Sequence, residues 1–197
     1  MPTVKPMRIP GRWREGFVLD YHITGSIYLG DDQYGHPVFD TTRTELGELL
    51  YRLKYRSDMS VVVELASAAQ EFVQSWNPGV TLIIPVPPSR KDRPKQPVLL
   101  LAEELGQRLG LPVRADAVTR VKELPELKNV YDYDTRIRLL SDAHQVDASL
   151  TSGHVVLLFD DLYRSGATMN AIARTLYDLG KVTDVFALAL TRTRSRI

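Results

Sequence analysis

The chain has no cysteine. That absence excludes a disulfide framework and any zinc ribbon built on thiolates. Histidine is scarce as well. His22, His36, His144 and His154 show no close paired spacing, which argues against a histidine-built metal centre. A dominant charge sign is also missing: 25 Lys and Arg face 24 Asp and Glu, so the net charge of +1 argues neither for nor against polyanionic partners. No apolar run approaches the roughly 20 residues of a membrane span. The opening residues, with Pro2, Pro6 and Pro10, carry no apolar signal core. Internal repeats, low-complexity tracts, the P-loop and the dinucleotide-binding glycine fingerprint are absent too. What remains is a chain of 197 residues, enough for one α/β domain and a small appendage. The expected setting is a soluble, cytoplasmic protein with no membrane partner.

What is there centres on residues 155–169. Val155 to Phe159 is an unbroken apolar run, as in a strand buried on both faces of a parallel sheet. Asp160 and Asp161 follow where such a strand is expected to run out. The small residues Ser165, Gly166 and Ala167 then form a loop that lets backbone amides approach a ligand closely. Thr168 is expected to open a helix whose apolar face is Met169, Ile172, Leu176 and Leu179, ending at Gly180. A helix N-terminus behind such a loop favours an anion, and neighbouring carboxylates suit ribose hydroxyls or hydrated magnesium. Together they read as a site for a phosphorylated sugar.

The remaining segments fit around this unit. Leu46, Leu49, Leu50 and Leu53 mark one helix, with Lys54 pointing away from its apolar stripe. Val62 to Trp76 marks a second helix, stopped by Asn77-Pro78-Gly79. Val80 to Val86 reads as a buried strand, and a helix from Val98 stops at Gly110. A short strand is expected over Arg114 to Val118, and an apolar strand from Val182 to Leu190 precedes an Arg/Thr tail. Strands alternating with helices predict a mostly parallel sheet flanked by helices, with ligands at the carboxyl ends of its strands. Residues 1–45 differ: Phe17 to Ile23 and Ser26 to Leu29 read as short strands before a polar loop, with no helical period. They are expected to form a small β-rich cap on a domain of residues 46–197.

The run from Val155 to Thr168 resembles the phosphoribosyl pyrophosphate (PRPP) motif of type I phosphoribosyltransferases. Pro85-Val86-Pro87 and the chain's ending resemble the ComF/GntX-like branch of that family. The resemblance covers about residues 45–197 and implies the type I phosphoribosyltransferase fold. It implies that Asp160 and Asp161 meet the ribose 2′- and 3′-hydroxyls, with magnesium held indirectly through them. It gives the 5′-phosphate to the loop Leu162, Tyr163, Arg164, Ser165, Gly166, Ala167 and Thr168. Arg164 and Ser165 stand where the family often has two threonines. The pyrophosphate loop falls on Pro87, Pro88, Ser89, Arg90 and Lys91. A mobile catalytic loop falls on the segment after Val118, with Arg120 and Lys122 as its basic positions. Many relatives begin with a cysteine-rich zinc module, which this chain lacks.

The activity so implied is Mg²⁺-dependent transfer of phosphoribosyl from PRPP to an unidentified base or amine, with release of pyrophosphate. The alternative is a PRPP-sensing regulator or adaptor without turnover, tied to DNA uptake or processing. The resemblance also leaves open a nucleic-acid link and a homodimer. A receiver domain fits less well, because its paired acids come at the first strand. Acceptor selection is expected from the N-terminal segment, where Tyr21, His22, Tyr28, Tyr34 and His36 offer aromatic faces and hydrogen-bonding edges.

Overall fold

The computed structural model describes residues 2–88, 96–121 and 143–194. Its centre is a five-stranded sheet. In chain order the strands are β1 (Met7–Arg8), β2 (Glu15–Tyr21), β5 (Leu82–Pro85), β8 (Val155–Tyr163) and β9 (Asp184–Arg192). The spatial order is β1-β2-β9-β8-β5. β2, β9, β8 and β5 run parallel, and only the short edge strand β1 is antiparallel. Beyond β5, Val113 adds a single parallel bridge to Ile83.

Alternation along the buried strands divides the core in two, because successive side chains leave opposite faces of a sheet. Leu157 and Phe159 of β8 join Phe186, Leu188 and Leu190 of β9 on one face. Three helices cover that face: α1 (Glu45–Arg56), α2 (Val62–Trp76) and α3 (Pro97–Leu109). Val156 and Leu158 join Val185, Ala187 and Ala189 on the other, under α5 (Ala167–Asp178) and the Trp13 side chain. The helix ends follow local chemistry. The Thr44 hydroxyl accepts from the Gly47 N–H to open α1, and Ser57, Asn77 and Gly110 close α1, α2 and α3 in the left-handed conformation. Among the described residues, no helix is long and apolar enough to cross a membrane.

The structure departs from the sequence reading in four places. The first 45 residues are not one cap. β1 and β2 belong to the central sheet, because Val18 and Leu19 are fully buried beside β9, one in each half of the core. Only the hairpin β3 (Ile23–Asp31) and β4 (Pro37–Arg43) stands apart as its own two-stranded sheet. β8 continues through both aspartates to Tyr163, since β9 still offers partners as far as Arg192. The short strand expected at 114–118 lies slightly later, as β6 (Val118–Arg120), paired antiparallel with β7 (His144–Val146). Leu179 is 61% exposed, because α5 has already ended at Asp178. A single helical turn, α4 (Ala148–Thr151), leads into β8.

Candidate functional site

β8 is paired on both sides only as far as Phe159, where its partner β5 stops at Pro85. From Asp160 onward one side of the strand is open, and the chain bordering the opening leaves β5 through Val86, Pro87 and Pro88. A cavity of about 530 Å³ fills this place. Asp160, Asp161, Leu162, Arg164 and Thr168 line it from the β8–α5 side, and Pro87 and Pro88 from the β5 side. Five residues of the stretch singled out in the sequence, the two acids with Leu162, Arg164 and Thr168, thus share one cavity. Ser89, Arg90 and Lys91 lie outside the described residues, as does Lys122.

The two aspartates are not equivalent. The pleat sends Asp161 to the face of Leu157 and Phe159, beneath α1, and Asp160 to the opposite face. Asp161 is buried and meets the Lys54 ammonium, whose Nζ lies 2.9 Å from each carboxylate oxygen. Side chains in this pair are only 15% and 11% exposed. Removing one partner of so buried a pair typically costs about 3–5 kcal/mol, because the other charge is left alone. Asp160 is half-buried, and its carboxylate accepts the Asp161 N–H at 2.8 Å. Burial, and then the charge of Asp161, push the Asp160 carboxyl up to about 8, against the opposing pull of Lys54.

The loop after β8 is held open by one glycine. Gly166 has φ +75° and is the N-cap of α5, with no side-chain hydrogen bond capping the helix. A Cβ there would run into the Tyr163 ring. The Ser165 hydroxyl accepts the Ala167 N–H at 3.5 Å, Thr168 in the first turn of this 12-residue helix lines the cavity, and Arg164 and Ser165 are exposed before it. Tyr163 and Ala167 are both buried, so these two positions serve the loop's backbone shape. Asn170 fixes the corner: its Nδ2 donates to the Gly166 carbonyl at 3.0 Å, and its Oδ1 accepts from the Arg12 N–H at 2.7 Å.

The other expected positions do not line this cavity. Arg120 is half-buried in β6, opposite His144, with its Nε buried and unpaired. Tyr21 ends β2 and His22 follows it. Arg192 and Arg194 stack over the Tyr21 ring at 5.8 and 5.2 Å. His22 Nδ1 is 3.3 Å from the Thr191 hydroxyl, and burial, then Lys54 and Arg43, hold its pKa below the ordinary value. Tyr34 and His36 sit at the exposed turn of the β3–β4 hairpin, their rings 6.5 Å apart. What the sequence reading missed is the opposite wall. Lys54 and Tyr55 of α1, and Gln96, Pro97 and Val98 at the start of α3, complete the lining. Their distance along the chain hides them from any local pattern, and the only hint is that Lys54 departs from an otherwise apolar stripe.

Among the described residues no group of three or more His, Cys, Asp or Glu converges as a metal cage. Two adjacent carboxylates suit a hard cation that keeps water and substrate phosphate as its other ligands.

No family model matches the chain. It is similar to the competence protein ComFC of Bacillus subtilis (strain 168), with 27% identity over 148 residues, 74% of this chain and 59% of that protein. Among solved structures it resembles the allosteric regulatory enzyme of purine biosynthesis, with a TM-score of 0.51 at 14% identity over 80% of this chain and 34% of that one. An adenine phosphoribosyltransferase from Thermoanaerobacter pseudethanolicus aligns at a TM-score of 0.42 and 18% identity, over 85% of this chain and 94% of that one. The protein thus has the type I phosphoribosyltransferase fold, and its sequence is similar to the ComF branch.

Proposed function

We propose that the cavity at the end of β8 binds PRPP and that the protein transfers its phosphoribosyl group to a nitrogenous acceptor, releasing pyrophosphate. One observation carries this reading: a pair of acids on a half-open strand end shares a cavity with Arg164 and Thr168, at the start of a helix whose N-cap is a glycine. The loop amides from Arg164 to Thr168 hold the 5′-phosphate, reinforced by the Arg164 guanidinium. Asp160 and Asp161 receive the ribose hydroxyls. The turn at Pro87 and Pro88 borders the pyrophosphate. Magnesium would enter with the pyrophosphate, held indirectly through the two aspartates, and when bound it supplies charge neutralisation for the leaving group.

The chain's own residues contribute positioning and electrostatics. They hold the ribose so that the C1–pyrophosphate bond points away from the acceptor's approach. The Asp161 carboxylate, joined by Asp160 where that group is ionised, stabilises the positive charge that develops at C1 as that bond breaks, and no covalent intermediate is required. Tyr21, His22, Tyr34 and His36 are not among the residues that line the described cavity, so the acceptor's wall is assigned to the α1 side, where Tyr55 offers a ring.

A second reading is favoured by the relative's name: a protein resembling a competence protein uses the same pocket to sense PRPP without turnover. Pyrophosphate release from Mg·PRPP, screened across nucleobases and amines, separates the two. Release that depends on one acceptor class supports transfer. Saturable PRPP binding with no release under any acceptor supports the sensor.

A further inference from the structure

Lys54 stands apart from the other cations at this end of the molecule. It lies in the last turn of α1, 107 residues from Asp161 in sequence, and lines the same cavity as the two acids. Its place is fixed by the scaffold. α1 buries Leu46, Leu49, Leu50 and Leu53 against the sheet. The helix is pinned at its start by the Thr44 hydroxyl, which donates to the Tyr21 carbonyl at 2.6 Å. At its end Arg52 grips Asp58 through Nε and Nη2, at 3.0 and 2.6 Å. A lysine on so fixed a helix holds a definite point in space. From it, Nζ reaches both oxygens of Asp161 equally.

The backbone of Asp161 is held as well, its carbonyl accepting the Thr191 hydroxyl at 3.4 Å. Asp160 has a different set of contacts: its carboxylate accepts the Asp161 N–H, and Lys54 acts on it only through space. Two neighbouring acids on one strand have thus become an anchored carboxylate and a receiving one.

We propose that Lys54 is a positioning residue that sets the site's preference for a sugar with a vicinal diol. This rests on the reading of the cavity as a site for a phosphorylated ribose. Through Asp161, Lys54 fixes where one hydroxyl must be received, while Asp160 receives its neighbour. A 5-phosphorylated sugar lacking the 2-hydroxyl leaves one carboxylate without its donor, and a site built to pair with a hydroxyl rejects the analogue that lacks it. The ammonium needs no direct contact with the sugar, because its effect travels through the carboxylate it orients.

The test compares ribose 5-phosphate, 2-deoxyribose 5-phosphate and Mg·PRPP by calorimetry on the full chain, as wild type, Lys54→Met and Lys54→Arg, with melting curves to confirm folding. The wild type should prefer ribose 5-phosphate over the deoxy sugar by roughly tenfold or more. Lys54→Met should lose most of that preference while still binding phosphate at the loop, and Lys54→Arg should restore part of it. A purely structural ion pair would shift melting temperature and leave the ratio untouched. Should Lys54→Met not fold, Lys54→Gln, which keeps an N–H donor, carries the same comparison. A folded Lys54→Met, or Lys54→Gln in its place, with the wild-type ratio overturns the inference and leaves the PRPP reading standing. A wild type that binds none of the three overturns both.

Discussion

The β8–α5 corner and the β3–β4 hairpin share a vocabulary, each combining Asp, Tyr and Gly at a strand end, and use it in opposite ways. At the corner, Asp161 is buried against Lys54, Asp160 is raised to about 8, and Gly166 holds a left-handed turn beneath a helix N-terminus. On the hairpin, Asp32 is exposed and occupied locally, accepting the Tyr34 and His36 N–H groups at 2.8 and 2.9 Å to shape its own turn. Ile27, Tyr28, Leu29, Tyr34 and Phe39 are all at least half exposed. Residue type therefore does not make the site. Packing does, by taking charges out of water and leaving a few of them to be completed by a ligand.

The sharpest way to break that comparison is at the acids. Asp160→Asn with Asp161→Asn should cut PRPP affinity by roughly a hundredfold or more, as charge-assisted hydrogen bonds are worth about 1.5–3 kcal/mol each. Loss of the PRPP-induced rise in melting temperature reads this out. Wild-type affinity in the double variant would mean that PRPP is held elsewhere.

Gly166→Val comes next. The residue needs φ +75° and its Cβ would meet the Tyr163 ring, so the loop must be rebuilt. That clash lies within the loop itself and not in the phosphate's place. The expected result is a folded protein whose affinity for ribose 5-phosphate falls by about tenfold or more.

A third effect needs no ligand. In the folded chain Asp160 keeps its proton up to about 8, whereas the unfolded chain releases it near 4. The folded state thus binds more protons across that window. The stabilising contribution is complete below about 4 and is lost as pH rises through about 8. Asp160→Asn removes the linkage, so its melting temperature should decline less than the wild type's between pH 5 and 8.5. Parallel declines would show that Asp160 is not the titrating group.

The smallest expected change sharpens the contrast from the other side. Replacing residues 24–42 by a short glycine linker joins Ile23 to Arg43, which already pair across the hairpin base. PRPP affinity should stay within about twofold, because no hairpin residue lines the described cavity. Acceptor use should be retained as well if Tyr55, and not Tyr34 and His36, faces the acceptor. Cutting at residue 40 from the start of the chain would not be informative, since it removes β1 and β2 from the central sheet.

Most of the corner was legible in the sequence because it is local. An apolar run, two acids, small residues and a helical period lie within 25 residues, and the pattern is what folds. The helix stops at Asn77 and Gly110 were legible for the same reason. The place of β2 was not: a strand over Phe17 to Ile23 is legible, but its neighbour in the central sheet, β9, lies about 170 residues away. Lys54 was not legible either, because a lysine off an apolar helical stripe reads as a solvated one until the fold brings Asp161 beneath it.

The most direct measurement is a crystal structure of the wild-type chain grown with Mg²⁺ and PRPP. The account predicts the 5′-phosphate on the amides of residues 164–168, the ribose hydroxyls at Asp160 and Asp161, and the pyrophosphate toward Pro87 and Pro88. PRPP bound away from the end of β8, or a filled cavity with the ribose turned from both aspartates, would contradict it.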